Sequence, residues 1–138
     1  MKQIGCILLI DDNPADNFIH KKIIQEAAVC NHIKIVHSGE EALKYLNQCI
    51  EEEKNQGEFI TPDLILLDIN MPAMNGFEFL KEYSDNISWK FRDTQIIMLS
   101  TSENPDDKLS SVKAFDISHY INKPLTVELV QQIVEKYF

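Results

Sequence analysis

Two runs in this chain, CILLI (residues 6–10) and LILL (64–67), are apolar at every position. A strand with one wet face alternates apolar and polar residues. A run of strand length with no alternation has to be covered on both faces. The chain therefore needs a sheet whose interior strands lie between two layers. IKIV (33–36), TQIIMLS (94–100) and SHYIN (118–122) supply three further strands.

Between these runs the apolar spacing turns helical. Ile19, Ile23, Ile24 and Ala27 recur on one predicted face, behind Asn13 as cap and Pro14 in the first turn. Ser38, answered by Glu41 three residues on, reads as a capping box ahead of Ala42, Leu43, Leu46 and Ile50. Asn75 and Gly76 read as a turn before Phe79, Leu80 and Tyr83. Asn104 and Pro105 open another helix with Leu109, Val112 and Phe115 inward. The last helix carries Leu129, Val130, Ile133, Val134 and Tyr137. Five β-α repeats predict an α/β fold, a doubly wound five-stranded parallel sheet with helices on both faces. Residues 1–138 are expected to form one domain.

Composition excludes several classes. Thirteen cations against 22 anions, with no basic run, argue against nucleic-acid binding. Three cysteines (Cys6, Cys30, Cys49) without a CxxC suggest neither a disulfide framework nor a zinc site, and Cys6 reads as a core residue. The four histidines have no ligand spacing. The first apolar run is too short to span a membrane and lacks a signal-peptide pattern, so a cytoplasmic protein without a membrane partner is expected.

In an open parallel sheet, ligands bind beyond the carboxyl ends of the strands. The first strand ends in Asp11 and Asp12, the third in Asp68, and the fourth in Ser100 and Thr101. The fifth leads to Lys123. Singly, these residues are caps or surface charges. Together they bring three carboxylates, a hydroxyl and an ammonium to one rim. Crowded carboxylates favour a hard divalent cation, and Mg²⁺ suits a site with few carboxylates. With that charge neutralised, an aspartate can attack a phosphoryl group, and Ser100 can donate to a phosphoryl oxygen.

These residues, with Met71, Pro72 and Gly76 behind Asp68 and Pro124 behind Lys123, resemble the receiver domains of two-component response regulators. The resemblance covers essentially the whole chain. It implies the flavodoxin-like order 2-1-3-4-5 and a stand-alone receiver, similar to the chemotaxis regulator, without an output domain. Such a module is not an enzyme acting on other substrates, although it promotes its own phosphorylation and dephosphorylation. Asp68 is the implied phosphoacceptor, charged from a phosphohistidine on a sensor histidine kinase or phosphotransfer protein. Asp12 and Asp68 would ligate Mg²⁺ directly, Asp11 through water, and Asn70 through its backbone carbonyl. Lys123 would contact the phosphoryl group, Ser100 would register it, and Tyr120 would change rotamer as a switch. The Lys123–Pro124 peptide would be cis. The output would be altered contact with a downstream protein target, or onward relay, by a monomer or weak dimer.

Departures from the family pattern are equally legible. Asp68 lies 56 positions after Asp12, a long interval whose excess falls in 48–59. Phe115, Asp116 and Ile117 replace the usual small-residue turn before strand five, which leaves the nearby partner surface, flanked by His119, open. Thr101 stands where many members carry alanine, and Ser102 and Asn70 occupy positions that tune dephosphorylation. Two other classes fit worse. A haloacid-dehalogenase-like phosphohydrolase needs DxD after strand one, and here Asp11 is followed by Asp12 and Asn13. A flavin carrier needs a Ser/Thr/Gly-rich phosphate loop there, which DDNPADN is not.

Overall fold

The computed structural model describes residues 3–51, 59–69, 71, 74–100 and 119–138. Asn70, Pro72, Thr101, Ser102, the helix predicted from Asn104 to Phe115, Asp116, Ile117 and the side chain of His119 lie outside the described residues, as do residues 52–58. In chain order the elements are β1 (Ile4–Ile10), α1 (Pro14–Ala27), β2 (Cys30–Val36), α2 (Gly39–Glu51), β3 (Leu64–Asp68) and α3 (Gly76–Asn86). A 3-10 turn (Ser88–Lys90), β4 (Gln95–Ser100), β5 (His119–Asn122) and α4 (Val127–Tyr137) follow.

The five strands form one parallel sheet in the order β2-β1-β3-β4-β5. Alternation explains the apolar runs. Leu8 and Ile10, Ile65 and Leu67, Ile96 and Met98, and Tyr120 enter one core with Ala42, Leu46, Phe79 and Leu80 from α2 and α3. Ile7 and Leu9, Leu64 and Leu66, Ile97 and Leu99, and Ile121 enter the other with Ile24, Ala27, Val130, Ile133 and Val134 from α1 and α4. Each central strand is thus apolar on both faces because each face meets a helix layer. Cys6 is fully buried, as expected, and burial pushes its thiol up to about 12. Among the described residues, no helix is long and apolar enough to cross a membrane.

Local chemistry sets the helix starts. Asn13 Oδ1 accepts from Ala15 N at 2.9 Å and Asp16 N at 3.2 Å, with Pro14 in the first turn. Ser38 Oγ accepts from Glu41 N at 3.0 Å, but the Glu41 carboxylate accepts from His37 N at 2.8 Å, one residue earlier than the predicted box. Asn75 does more than turn the chain: it caps α3 in a full capping box with Glu78.

Two expectations are corrected. β2 begins at Cys30, three residues before the predicted 33. It is an edge strand, so Asn31 and His32 face water and hide it from an apolar search. The buried stripe of α1 is Asn17, His20, Ile24 and Ala27, while Ile19 is 52% exposed. The polar half of this stripe abuts the acidic rim, where Asn17 Nδ2 donates to the Asp11 carbonyl at 2.8 Å.

Candidate functional site

The ends of β1, β3, β4 and β5 deliver the groups of the site. β1 continues its pairing through Asp11 N, which donates to the Val36 carbonyl at 3.2 Å. This turns the Asp11 carboxylate inward, where Oδ1 accepts from Asn13 N at 2.9 Å. β3 ends at Asp68, paired in register with Leu99. The chain just beyond is fixed on both sides: Ile69 N donates to the Leu99 carbonyl at 3.2 Å, and Gly76 N donates to the Ile69 carbonyl at 3.0 Å. β4 ends at the fully buried Ser100, whose carbonyl accepts from Lys123 N at 2.8 Å. That bond places Lys123 at the rim, immediately before a cis Lys123–Pro124 peptide.

Carboxylate oxygens of Asp11, Asp12 and Asp68 lie within 4.8 Å of one another. Asp11 and Asp68 are buried, and Asp12 is more open to solvent. The Lys123 ammonium lies 3.4 Å from Asp68 Oδ1, 3.4 Å from Asp11 Oδ2 and 3.0 Å from Asp16 Oδ2. Burial pulls Lys123 down, but the hydrogen bond to Asp16 and the charges of Asp68, Asp11 and Asp16 outweigh it and hold the lysine above its ordinary value. Tyr120 lies inward from β5, 8% exposed, in the core that also holds Met98, its partner in register.

The structure thus brings together Asp11, Asp12, Asp68 and Lys123, with Ser100 at the adjoining strand end. Three further residues belong to this neighbourhood and were missed from the sequence. Asp16 pairs with Lys123, Asn17 holds the Asp11 carbonyl, and buried His20 is held below its ordinary value by burial and by Lys123, against Asp11 and Asp16. The signal for Asp16 was present: a helix capped by Asn13 turns its third residue back toward the strand ends.

The donor set fits a hard divalent cation. Asp11, Asp12 and Asp68 converge through oxygen ligands, and Lys123 pairs with two of them and with Asp16.

Residues 7–135 match the response regulator receiver domain family, and the chain belongs to that family. It is 29% identical to response regulator Rcp1 of Synechocystis sp. over 129 residues, 94% of this chain and 83% of that protein. Among solved structures, a two-component response regulator from Cytophaga hutchinsonii superposes with a TM-score of 0.86 at 28% identity, covering 99% of this chain and 98% of that one. One from Legionella pneumophila gives 0.77 at 31% identity, covering 96% and 99%. The chain is a receiver domain of two-component signalling, with the flavodoxin-like order expected from its sequence.

Proposed function

We propose that Asp68 accepts a phosphoryl group from a phosphohistidine on a sensor histidine kinase or phosphotransfer protein, in a Mg²⁺-dependent reaction. The observation that carries this is the convergence of Asp11, Asp12 and Asp68 within 4.8 Å, with Lys123 at 3.4 Å from Asp68. An Asp68 carboxylate oxygen attacks phosphorus. The phosphorus–nitrogen bond breaks, its electron pair returns to the imidazole, and an acyl phosphate remains. Asp68 and Asp12 would hold the metal directly, Asp11 through water, and Asn70 through its carbonyl. The ion would neutralise charge on the phosphoryl oxygens. Lys123 would hold a phosphoryl oxygen, and Ser100, fixed at the end of β4, would take another.

The response would run through Ser100 and Tyr120, whose ring would change rotamer in the phosphorylated state. Phosphorylation would shift a pre-existing equilibrium of the face bearing β5 and α4 and change affinity for a downstream protein. Residues 1–138 would act as a single receiver, a cytoplasmic monomer or weak dimer that signals by contact or relays the group onward, without nucleic acid or membrane as partner.

Intact mass after incubation with acetyl phosphate tests the chemistry. One added phosphoryl group is expected with Mg²⁺, none with EDTA, and none in Asp68→Asn. An equal gain in Asp68→Asn would move the acceptor elsewhere. If wild type shows no gain, beryllofluoride binding distinguishes fast hydrolysis from a silent receiver.

A further inference from the structure

The shortest ion pair of Lys123 is made to a carboxylate outside the convergent trio. Its ammonium reaches Asp16 Oδ2 at 3.0 Å, against 3.4 Å to Asp11 and to Asp68. Asp16 sits in the first turn of α1, where the Asn13 cap accepts from its N–H. It therefore approaches Lys123 from the helix, across the rim from the strand ends. The Lys123 side chain is only 14% exposed, so water offers it little alternative company.

The three carboxylates around Lys123 are not equivalent. Asp11 and Asp68 belong to the trio whose oxygens converge, and a cation there would draw their charge away from the lysine. Asp16 is not in that trio and keeps its charge for Lys123. A phosphoryl group on Asp68 needs the same ammonium. Its three N–H groups already face Asp11, Asp16 and Asp68, so a phosphoryl oxygen has to displace one of these partners or draw the lysine away from it. We propose that Asp16 is a positioning residue that holds Lys123 in the unphosphorylated receiver and competes with the phosphoryl group for it, lowering the affinity of the site for a phosphoryl-like anion. This rests on the reading of Asp68 as phosphoacceptor.

Beryllofluoride titration in Mg²⁺, followed by ¹⁹F NMR, tests it without a covalent step. Asp16→Asn should bind about fivefold more tightly than wild type, the worth of a partly exposed ion pair. Asp16→Glu, which keeps the charge, should stay near wild type, and Asp16→Ser serves if the asparagine variant folds poorly. In a Lys123→Gln background, Asp16→Asn should bring no gain. Unchanged affinity in both Asp16→Asn and Asp16→Ser overturns the inference, with the receiver reading intact if wild type binds. A full gain that persists in Lys123→Gln also overturns it, because Asp16 would then act only as a general negative charge. A wild type that binds no beryllofluoride, as Asp68→Asn should not, removes the reading of Asp68 as phosphoacceptor and this inference with it.

Discussion

Replacing Gly76 with alanine should damage both the stability of this protein and the reactivity of its acidic rim. Gly76 opens α3 directly beneath the chain that follows Asp68. A Cβ there would lie 2.9 Å from Ile69 Cα, 3.0 Å from the Asp68 carbonyl oxygen and 3.3 Å from Met98 Cε. Ordinary contacts between carbons lie at about 3.5–4.0 Å, so the helix start or the end of β3 has to yield by roughly half an ångström. Neither moves easily, because Gly76 N is bonded to the Ile69 carbonyl and Ile69 N to the Leu99 carbonyl. Overpacking of this kind costs about 1–3 kcal/mol. Alanine recovers part of that through its helix preference, at most about 1 kcal/mol over glycine. A net loss of about 1–2 kcal/mol remains, or some 4–8 °C in Tm for a chain of this size.

Gly39 supplies the control, since it opens α2 in the same way. Its added Cβ would meet Met74 Sδ at 2.7 Å and Cγ at 3.0 Å, on a half-buried, flexible side chain, and Phe79 Cβ only at 3.3 Å, a smaller overlap. Methionine can swing aside where backbone cannot. Gly39→Ala should therefore stay within about 0.5 kcal/mol of wild type. Urea unfolding of the two variants reads stability. The rate of mass gain from acetyl phosphate reads the site and should fall about tenfold or more in Gly76→Ala, because a small misplacement of a reacting group is expensive. The reasoning is refuted if Gly76→Ala matches wild type in both assays, or if Gly39→Ala is as harmful as Gly76→Ala.

Two further outcomes separate scaffold from site. The Asp63 carboxylate accepts from Gly5 N at 2.7 Å and Cys6 N at 3.2 Å, tying β1 to the start of β3. Asp63→Ala should lose about 1–3 kcal/mol in denaturant unfolding yet still gain a phosphoryl group, since this clamp lies at the opposite end of the sheet from Asp68. His20 is held below its ordinary 6.5 by burial first and by Lys123 second, with Asp11 and Asp16 opposing. The unfolded chain therefore takes up this proton first, so stability is full above pH 6.5 and is lost as pH falls through the folded value. In EDTA, His20→Gln should flatten the fall in unfolding free energy on going down from pH 7; an unchanged slope would exclude His20 as its source.

The sheet and most of the site were legible in the sequence because both follow from burial. Strands covered on two faces must be wholly apolar, so a polar residue ending such a run marks the rim, and Asp11, Asp68 and Ser100 were found that way, with Lys123 placed by the β5 that leads to it. β2 was read short because an edge strand owes nothing to that rule at its wet positions. The α1 face was misread for the opposite reason. Apolar periodicity chose Ile19, which the structure leaves 52% exposed, over Asn17 and His20, which are buried. A buried asparagine and histidine on a core-facing stripe look like errors to any pattern search. They are tolerated here because the first turns of α1 face charged groups and a backbone carbonyl rather than an aliphatic core: Asn17 donates to the Asp11 carbonyl, and Asp16 faces Lys123. The local rule fails where the helix serves the acidic rim instead of the core, which is where a functional site is expected to break it. The failed prediction at Ile19 and the missed pairing at Asp16 therefore have one cause, and it locates the part of α1 that belongs to the site.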